Sequence, residues 1–251
     1  MIDFEGKKVL ITGGSRGIGA SCVKLFSSLN AFVVFTYRRN AEAADSLIKS
    51  LHKVDKIVPA HINFKKPDEA EKRINGLVTK YNGFDILINN AGIWTYGEAD
   101  AISVEDWDMM MTVNMTSMFL CSKAVIPNMK LKRYGKIINI ASTAGQRGEA
   151  FHSHYAASKG GMISYTKSLA AELGIFNINV NCVAPGWVLT DMNVEVFADK
   201  EYQETERLNI PLKRIAEPED IAGPVVFLAS NFARHITGEV LNVNGGSVLC
   251  G

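Results

Sequence analysis

The sequence predicts a single α/β domain over residues 1–251, with a doubly wound, seven-stranded parallel sheet and helices on both faces. Three observations lead there. Short apolar runs rich in β-branched residues recur along the chain, with the length and composition of strands buried on both faces. Segments long enough for crossover helices separate the first six of them, and that alternation gives a parallel sheet. No repeat, low-complexity tract or Pro/Gly/Ser linker divides the chain, and its 251 residues, 47% of them hydrophobic, suffice for one large core.

The elements follow in order. KVLIT (Lys8–Thr12) is the first strand and AFVVFTY (Ala31–Tyr37) the second. A helix of good formers is expected at Ala41–Lys53, then a strand at Lys56–Ala60. Pro67–Tyr81 is the next helix, opened by proline and acidic residues, and DILINN (Asp85–Asn90) the fourth strand. A long helix is expected around Asp106–Lys132, a fifth strand over Gly135–Ser142 that ends on Ser142, and a second long helix around His154–Gly174. INVNCVAP (Ile178–Pro185) and EVLNV (Glu239–Val243) complete the sheet. In such a sheet a ligand binds beyond the carboxyl ends of the strands, near the switch point.

Composition narrows the function. The 27 basic and 26 acidic residues give a net charge of +1, with no polybasic run, so neither a nucleic-acid tract nor an anionic-membrane anchor is expected. The opening MIDFEGKKVLITGG lacks the pattern of a secretory leader. No uninterrupted apolar stretch approaches the roughly 18 residues of a membrane span. Cys22, Cys121, Cys182 and Cys250 are scattered and form no CxxC pair, which fits a reducing cytoplasm and gives no reason to expect a metal.

After the first strand comes TGGSRGIG (Thr12–Gly19). Gly13, Gly17 and Gly19 allow a tight turn and close approach of a pyrophosphate to backbone N–H groups, with a helix N-terminus behind it. Taken alone, the triplet also fits a plain strand–turn–helix junction. The spacing is GxxxGxG.

With NNAG (Asn89–Gly92), Asn114, Ser142, YAASK (Tyr155–Lys159), PGWVLTDM (Pro185–Met192) and VNGG (Val243–Gly246), that turn resembles the short-chain dehydrogenase/reductase family, in family order and over essentially the whole chain. The latter half, PLKRIAEPEDIAGPVVFLAS followed by TGEVLNVNGG, is most similar to the bacterial 3-oxoacyl-acyl-carrier-protein reductases within it. The resemblance implies a Rossmann fold, a nicotinamide cofactor and carbonyl–alcohol chemistry.

The second strand ends FTYRRN. An acid there would accept from a ribose 2′-hydroxyl and repel a 2′-phosphate. Tyr37 stands in its place, Arg38 and Arg39 follow, and Arg16 lies in the glycine turn. Placed so, the arginines can clamp a phosphate, which favours NADP(H); unplaced, Arg38 and Arg39 would read as solvated loop charges. Asn63 replaces the aspartate that the family uses for adenine, and Phe64 follows it. Ser15, Ile18, Asn90, Ala91, Gly92, Pro185, Gly186, Val188 and Thr190 complete the expected cofactor contacts, with Asn89 on the floor.

Tyr155 and Lys159 stand at i,i+4, one helical turn apart. An ordinary tyrosine, with a pKa of about 10, is a poor acid–base group near neutrality, and a nearby ammonium, with a charged nicotinamide ring during the reaction, should lower it. Tyr155 is then the proton donor to a carbonyl oxygen, and the Ser142 hydroxyl hydrogen-bonds that same substrate oxygen and stabilises charge developing there. The resemblance adds that Lys159 bonds the nicotinamide ribose and Asn114 supports a water chain to Lys159. In isolation YAASK would be an ordinary surface helix; the company of Ser142, Asn114 and the glycine turn makes it catalytic. Trp94 and Trp187, in loops after strand ends, are expected to close over an apolar substrate, and His152 to rim the pocket. Met109–Met111 reads as core packing, and Asn193–Asn209 as the lid.

The leading function is NADPH-dependent reduction of a 3-oxoacyl group carried on acyl carrier protein, in fatty acid biosynthesis. The alternatives are an alcohol, sugar or small-ketone dehydrogenase and a catalytically silent NADP sensor. A carrier would dock beside the active-site mouth through Arg133, helped by Lys130, Lys132 and Lys136, although Phe176 stands where the family has a second base. Family members of this length lead us to expect a homotetramer built on the two long helices.

Overall fold

The computed structural model describes residues 1–51 and 54–249. Seven strands form one parallel sheet in the order β3-β2-β1-β4-β5-β6-β7. They are β1 (Lys8–Ile11), β2 (Phe32–Tyr37), β3 (Ile57–His61), β4 (Ile86–Asn89), β5 (Gly135–Ile140), β6 (Ile178–Pro185) and β7 (Val240–Val243). The helices are α1 (Gly17–Ser28), α2 (Ala41–Lys49), α3 (Pro67–Lys80), α4 (Val104–Met111), α5 (Ser117–Lys132), α6 (Ala144–Arg147), α7 (Ser153–Leu173), α8 (Lys200–Asn209) and α9 (Pro218–Ala229). The sequence expected α2 to run to Lys53; residues 52 and 53 lie outside the described residues, as does Cys250.

Alternation of side chains splits the core into two layers. Val9, Ile11, Val33, Phe35, Ile86 and Ile88 face one way, onto residues of α1 and α9. Leu10, Val34, Leu87 and Ile137 face the other, onto α3, α5 and α7. The near-continuous apolar runs of the sequence have this cause: both faces of every central strand are covered. Cys22, Cys121 and Cys182 are free thiols inside this core.

The expected helix around 106–132 runs from Val104 to Lys132 but is interrupted by a π-helical turn, Thr112–Thr116. By length and composition this run is apolar enough to cross a membrane; half of its apolar window is buried, and α5 packs on α3, β4 and β5, as a core helix does. The strand order reverses between β1 and β4. Their carboxyl ends open the crevice where this topology binds ligands.

Candidate active site

A cavity of about 660 Å³ occupies that crevice, lined by the segments that follow β1 to β6, with Asn193, Glu206 and Asn209 among the wall residues. Its floor is the glycine turn. Gly19 packs so closely that a Cβ there would lie 2.2 Å from the Gly13 carbonyl oxygen and 2.6 Å from Asn90 Nδ2. The turn therefore cannot tolerate a side chain at 19. Arg16 precedes α1 in an extended conformation and gives it no side-chain cap, so the first N–H groups of the helix remain available at the cavity floor. Asn90 braces the turn, donating from Nδ2 to the carbonyls of Thr12 (2.9 Å) and Gly13 (3.0 Å).

Of the cofactor residues expected, Gly13, Ser15, Arg16, Gly17, Ile18, Tyr37, Arg38, Arg39, Phe64, Asn90, Ala91, Gly92, Pro185, Gly186, Val188 and Thr190 line the cavity. Three do not behave as expected. Gly19 packs behind the turn. Asn63 is turned to its own loop, its Oδ1 accepting from Lys65 N at 3.2 Å, while Ile62, Phe64 and Lys65 form the wall. Asn89 sits beneath the floor, donating to Asn139 Oδ1 at 2.8 Å, because alternation along β4 points it into the core.

Arg16, Arg38 and Arg39 converge at the far end. Burial, then Arg39, then Arg16 hold the Arg38 guanidinium below its ordinary range. Three guanidinium groups lining one end of the cavity suit an anion, which would relieve their mutual repulsion. Asp191 reaches Arg16 at 3.5 Å, on the exposed side. The cradle, the open helix terminus and the three arginines fit a dinucleotide carrying an extra phosphate.

At the other end stand Ser142, Tyr155 and Lys159. Ser142 lies two residues past β5 rather than in it. The backbone still pairs with β6 there, Ala141 N to Val183 O at 2.8 Å and Thr143 N to Pro185 O at 3.0 Å, which fixes the serine. α6 then approaches α7 so closely that a Cβ on Gly145 would lie 2.5 Å from the Lys159 carbonyl carbon. That contact brings Ser142 and Tyr155 to the same end of the cavity, where Ser142 Oγ accepts from Ala144 N at 3.1 Å.

The π-helical turn points Asn114 inward, where it is fully buried. Its Oδ1 accepts from Ile93 N at 2.8 Å, and its Nδ2 donates to Ile93 O at 3.1 Å and Ser158 Oγ at 3.0 Å. Ser158 Oγ in turn donates to Tyr155 O at 2.7 Å. The amide thus splices the β4 loop to the helix that carries Tyr155. Its side chain is not among the cavity-lining residues.

The protein's own groups around Tyr155 act against its ionisation. Burial pushes its phenol above the ordinary range, partly opposed by the Ser142 hydrogen bond, with Glu149 adding to the rise. Lys159 Nζ lies 5.6 Å from the Tyr155 ring centroid and donates to Ile140 O at 2.7 Å. Burial lowers the Lys159 ammonium to about 8. The protein's own groups therefore favour the protonated phenol at Tyr155.

Trp94 and Trp187 both line the substrate end, edge to face at 6.1 Å. His152 does not reach the cavity; it stacks on Trp94 at 4.1 Å and 6°. Met110 is core, packed in one cluster with Tyr155. The segment expected as the lid borders the cavity: Asn193, Glu206 and Asn209 line it, and Phe197 and Tyr202 pack on Trp187. Arg147, Glu149 and Glu206 are wall residues that sequence reasoning missed. They lie outside any motif, and only the folding of α6 and α8 onto the cavity brings them there.

The docking position is also corrected. Arg133 precedes β5, whereas Ser142 follows it, and a parallel strand of six residues separates opposite edges of the sheet by about 20 Å. Arg133 bonds Ile175 O at 2.8 Å and Lys132 pairs with Asp85 at 3.0 Å. Lys136 is buried on Asn179 at 2.6 Å, and Lys130 lies 4.9 Å over the Phe176 ring. Within one chain this patch is not beside the cavity mouth.

Comparison with known proteins agrees with this geometry. A family model described as enoyl-(acyl carrier protein) reductase matches residues 13–247. The chain is 38% identical to the 3-oxoacyl-[acyl-carrier-protein] reductase FabG of Vibrio cholerae, covering 98% of both, and 37% identical to that of Thermotoga maritima, covering 98% and 99%. Among solved structures, a short-chain dehydrogenase/reductase of the glucose/ribitol dehydrogenase type from Brucella melitensis superposes with a TM-score of 0.91 at 31% identity, over 99% of both chains. One assigned as an NAD(P)-dependent gluconate 5-dehydrogenase from Beutenbergia cavernae, with NADP at low occupancy, gives 0.92 at 30%, over 98% of both. The chain belongs to the short-chain dehydrogenase/reductase family.

Proposed function

We propose that this chain is an NADPH-dependent reductase that converts a 3-oxoacyl group, carried as its acyl-carrier-protein thioester, to the 3-hydroxyacyl group in fatty acid biosynthesis. The observation that carries the reading is one cavity with Arg16, Arg38 and Arg39 at one end and Ser142, Tyr155 and Lys159 at the other. Relatives bearing the 3-oxoacyl reductase name match nearly the full chain, and we treat 1–251 as one catalytic domain.

Bound NADPH supplies the hydride. The protein's part is proton placement and charge stabilisation. Tyr155 donates its proton to the carbonyl oxygen, and Ser142 donates a hydrogen bond to the same oxygen as charge develops there. Lys159 provides positive charge one helical turn away, lowering the cost of phenolate character at Tyr155. Asn114 is a positioning residue that holds the β4 loop against α7.

We place the enzyme in the cytoplasm, in keeping with its buried free thiols, and as a homotetramer. Val104, Trp107 and Phe119, on α4 and α5, are exposed large apolar side chains that an assembly on these helices would cover. A carrier docked at Arg133 would then serve a cavity on another subunit rather than its own. The test is kcat/KM with NADPH for 3-oxoacyl thioesters on carrier protein and on coenzyme A, beside simple ketones and sugars, for wild type and Arg133→Glu. A 3-oxoacyl thioester should be the best substrate, with the carrier form falling selectively in the variant. A preference for sugars or simple alcohols would replace this reading by the dehydrogenase alternative.

A further inference from the structure

Beyond Ser142 and Tyr155 the cavity wall is not purely apolar. Glu149, from the loop between α6 and α7, and Glu206, from α8, both line it beside Trp94, Trp187 and Arg147. Each carboxylate is anchored by an indole: Trp94 Nε1 donates to Glu149 at 3.3 Å and Trp187 Nε1 to Glu206 at 2.7 Å. The indoles meet edge to face, 83° apart in plane, so the two carboxylates share one aromatic wall. Burial raises the Glu149 carboxyl and Glu206 adds to the rise, while His152, ahead of any other charge, and the Trp94 hydrogen bond oppose it. Arg147 also acts on Glu149 through its charge, and His152 lies 3.8 Å from it, but among the described residues no ion pair joins Arg147 to either carboxylate. Glu149 and Glu206 against the Arg147 guanidinium leave this aromatic part of the wall net negative, while the Lys159 ammonium stands apart from it beside Tyr155; the indole bonds hold the carboxylates where they are.

We propose that Glu149 and Glu206 are specificity-determining residues that make the reduction site a charge filter. Ketones whose distal group is a cation are favoured over neutral ones, and ketones that end in a carboxylate are rejected. The inference rests on reading this cavity as the site of carbonyl reduction. The physical basis is Coulombic. A net charge held in aromatic, partly buried surroundings is screened less than at an open surface. Indole faces add attraction for an ammonium group, and anchored carboxylates need little reordering when it binds. A neutral 3-oxoacyl chain falls in the middle of this order.

The test uses three ketones of matched length: 5-(trimethylammonio)pentan-2-one, its uncharged isostere 6,6-dimethylheptan-2-one, and 5-oxohexanoate. Two quantities are read. One is kcat/KM with saturating NADPH. The other is the dissociation constant of each ketone from the NADP⁺ complex, followed by quenching of the Trp94 and Trp187 fluorescence. We expect steps of about tenfold from cation to neutral and from neutral to anion in both. In Glu149→Gln and Glu206→Gln, where the amide oxygen can still accept from the indole, each step should shrink towards unity. Equal binding of the three ketones by the wild type would overturn the proposal. Tighter binding of 5-oxohexanoate would overturn it as well and assign recognition to Arg147. Charge-ordered binding without turnover of any ketone would keep the filter and count against the reductase reading.

Discussion

Lys159 offers a sharp test because its environment is so unlike that of an ordinary lysine. Its side chain is 4% exposed and its ammonium has Ile140 O as a partner at 2.7 Å. Burial lowers it from 10.5 to about 8. A group with a pKa of about 8 is about 90% charged at pH 7 and about 10% charged at pH 9. If the positive charge on Lys159 stabilises phenolate character at Tyr155, kcat/KM for reduction must fall about tenfold between pH 7 and pH 9. An ordinary lysine would hold activity to about pH 10. Tyr155 is not the source of the loss, because burial raises its phenol above the ordinary range and keeps it protonated throughout. The assay is initial-rate reduction of an acetoacetyl thioester at saturating NADPH, from about pH 6 to pH 10. Lys159→Arg, whose guanidinium stays charged over that range, should show a lower plateau without the alkaline limb. A wild-type profile flat to pH 10 would refute the reasoning, since either the lysine is not perturbed or its charge is not needed.

Arg38→Asp should move preference from NADPH towards NADH, because it removes a phosphate partner and supplies an acceptor for a ribose hydroxyl. Loss of one charge-assisted hydrogen bond costs about 1.5–3 kcal/mol, about 10- to 150-fold in NADPH affinity, and a wild type that already prefers NADH in kcat/KM would show the assignment wrong. Gly19→Ala should weaken NADPH binding by more than about tenfold and destabilise the fold by about 1–3 kcal/mol, because the new methyl group would overlap the Gly13 carbonyl. Cofactor titration and thermal unfolding read the two effects, and a normal dissociation constant would contradict the packing argument. Light scattering at micromolar concentration should give four chains per particle; a monomer would leave the exposed Val104, Trp107 and Phe119 without their proposed cover.

Much of this arrangement was legible in the sequence. The seven strands announced themselves because central strands of a parallel sheet are apolar on both faces, as Val9, Leu10 and Ile11 are. Tyr155 and Lys159 were legible for the same kind of reason, since four residues make one helical turn. What was missed depends on contacts between distant segments. Asn63 stands at the right place in the chain, but its side chain turns to the Lys65 amide. The π-helical turn at Thr112–Thr116 leaves no signature in a period-seeking reading, yet it directs Asn114 inward. Arg133 was placed at the mouth by its match to a family position, yet it precedes β5 while Ser142 follows it, so the strand separates them within one chain. Glu149 and Glu206 carry no motif, and their places on the wall follow from the indoles that hold them.

The central claim is that Tyr155 delivers the proton in an NADPH-dependent carbonyl reduction. Tyr155→Phe tests it most directly, because the ring that packs with Met110 and Ala144 is kept and only the hydroxyl is lost. The measurement is kcat for an acetoacetyl thioester together with the NADPH dissociation constant, in wild type and variant. The account predicts a fall in kcat of about 10²–10⁴-fold with NADPH binding essentially unchanged. A variant that retains near-normal kcat would contradict it.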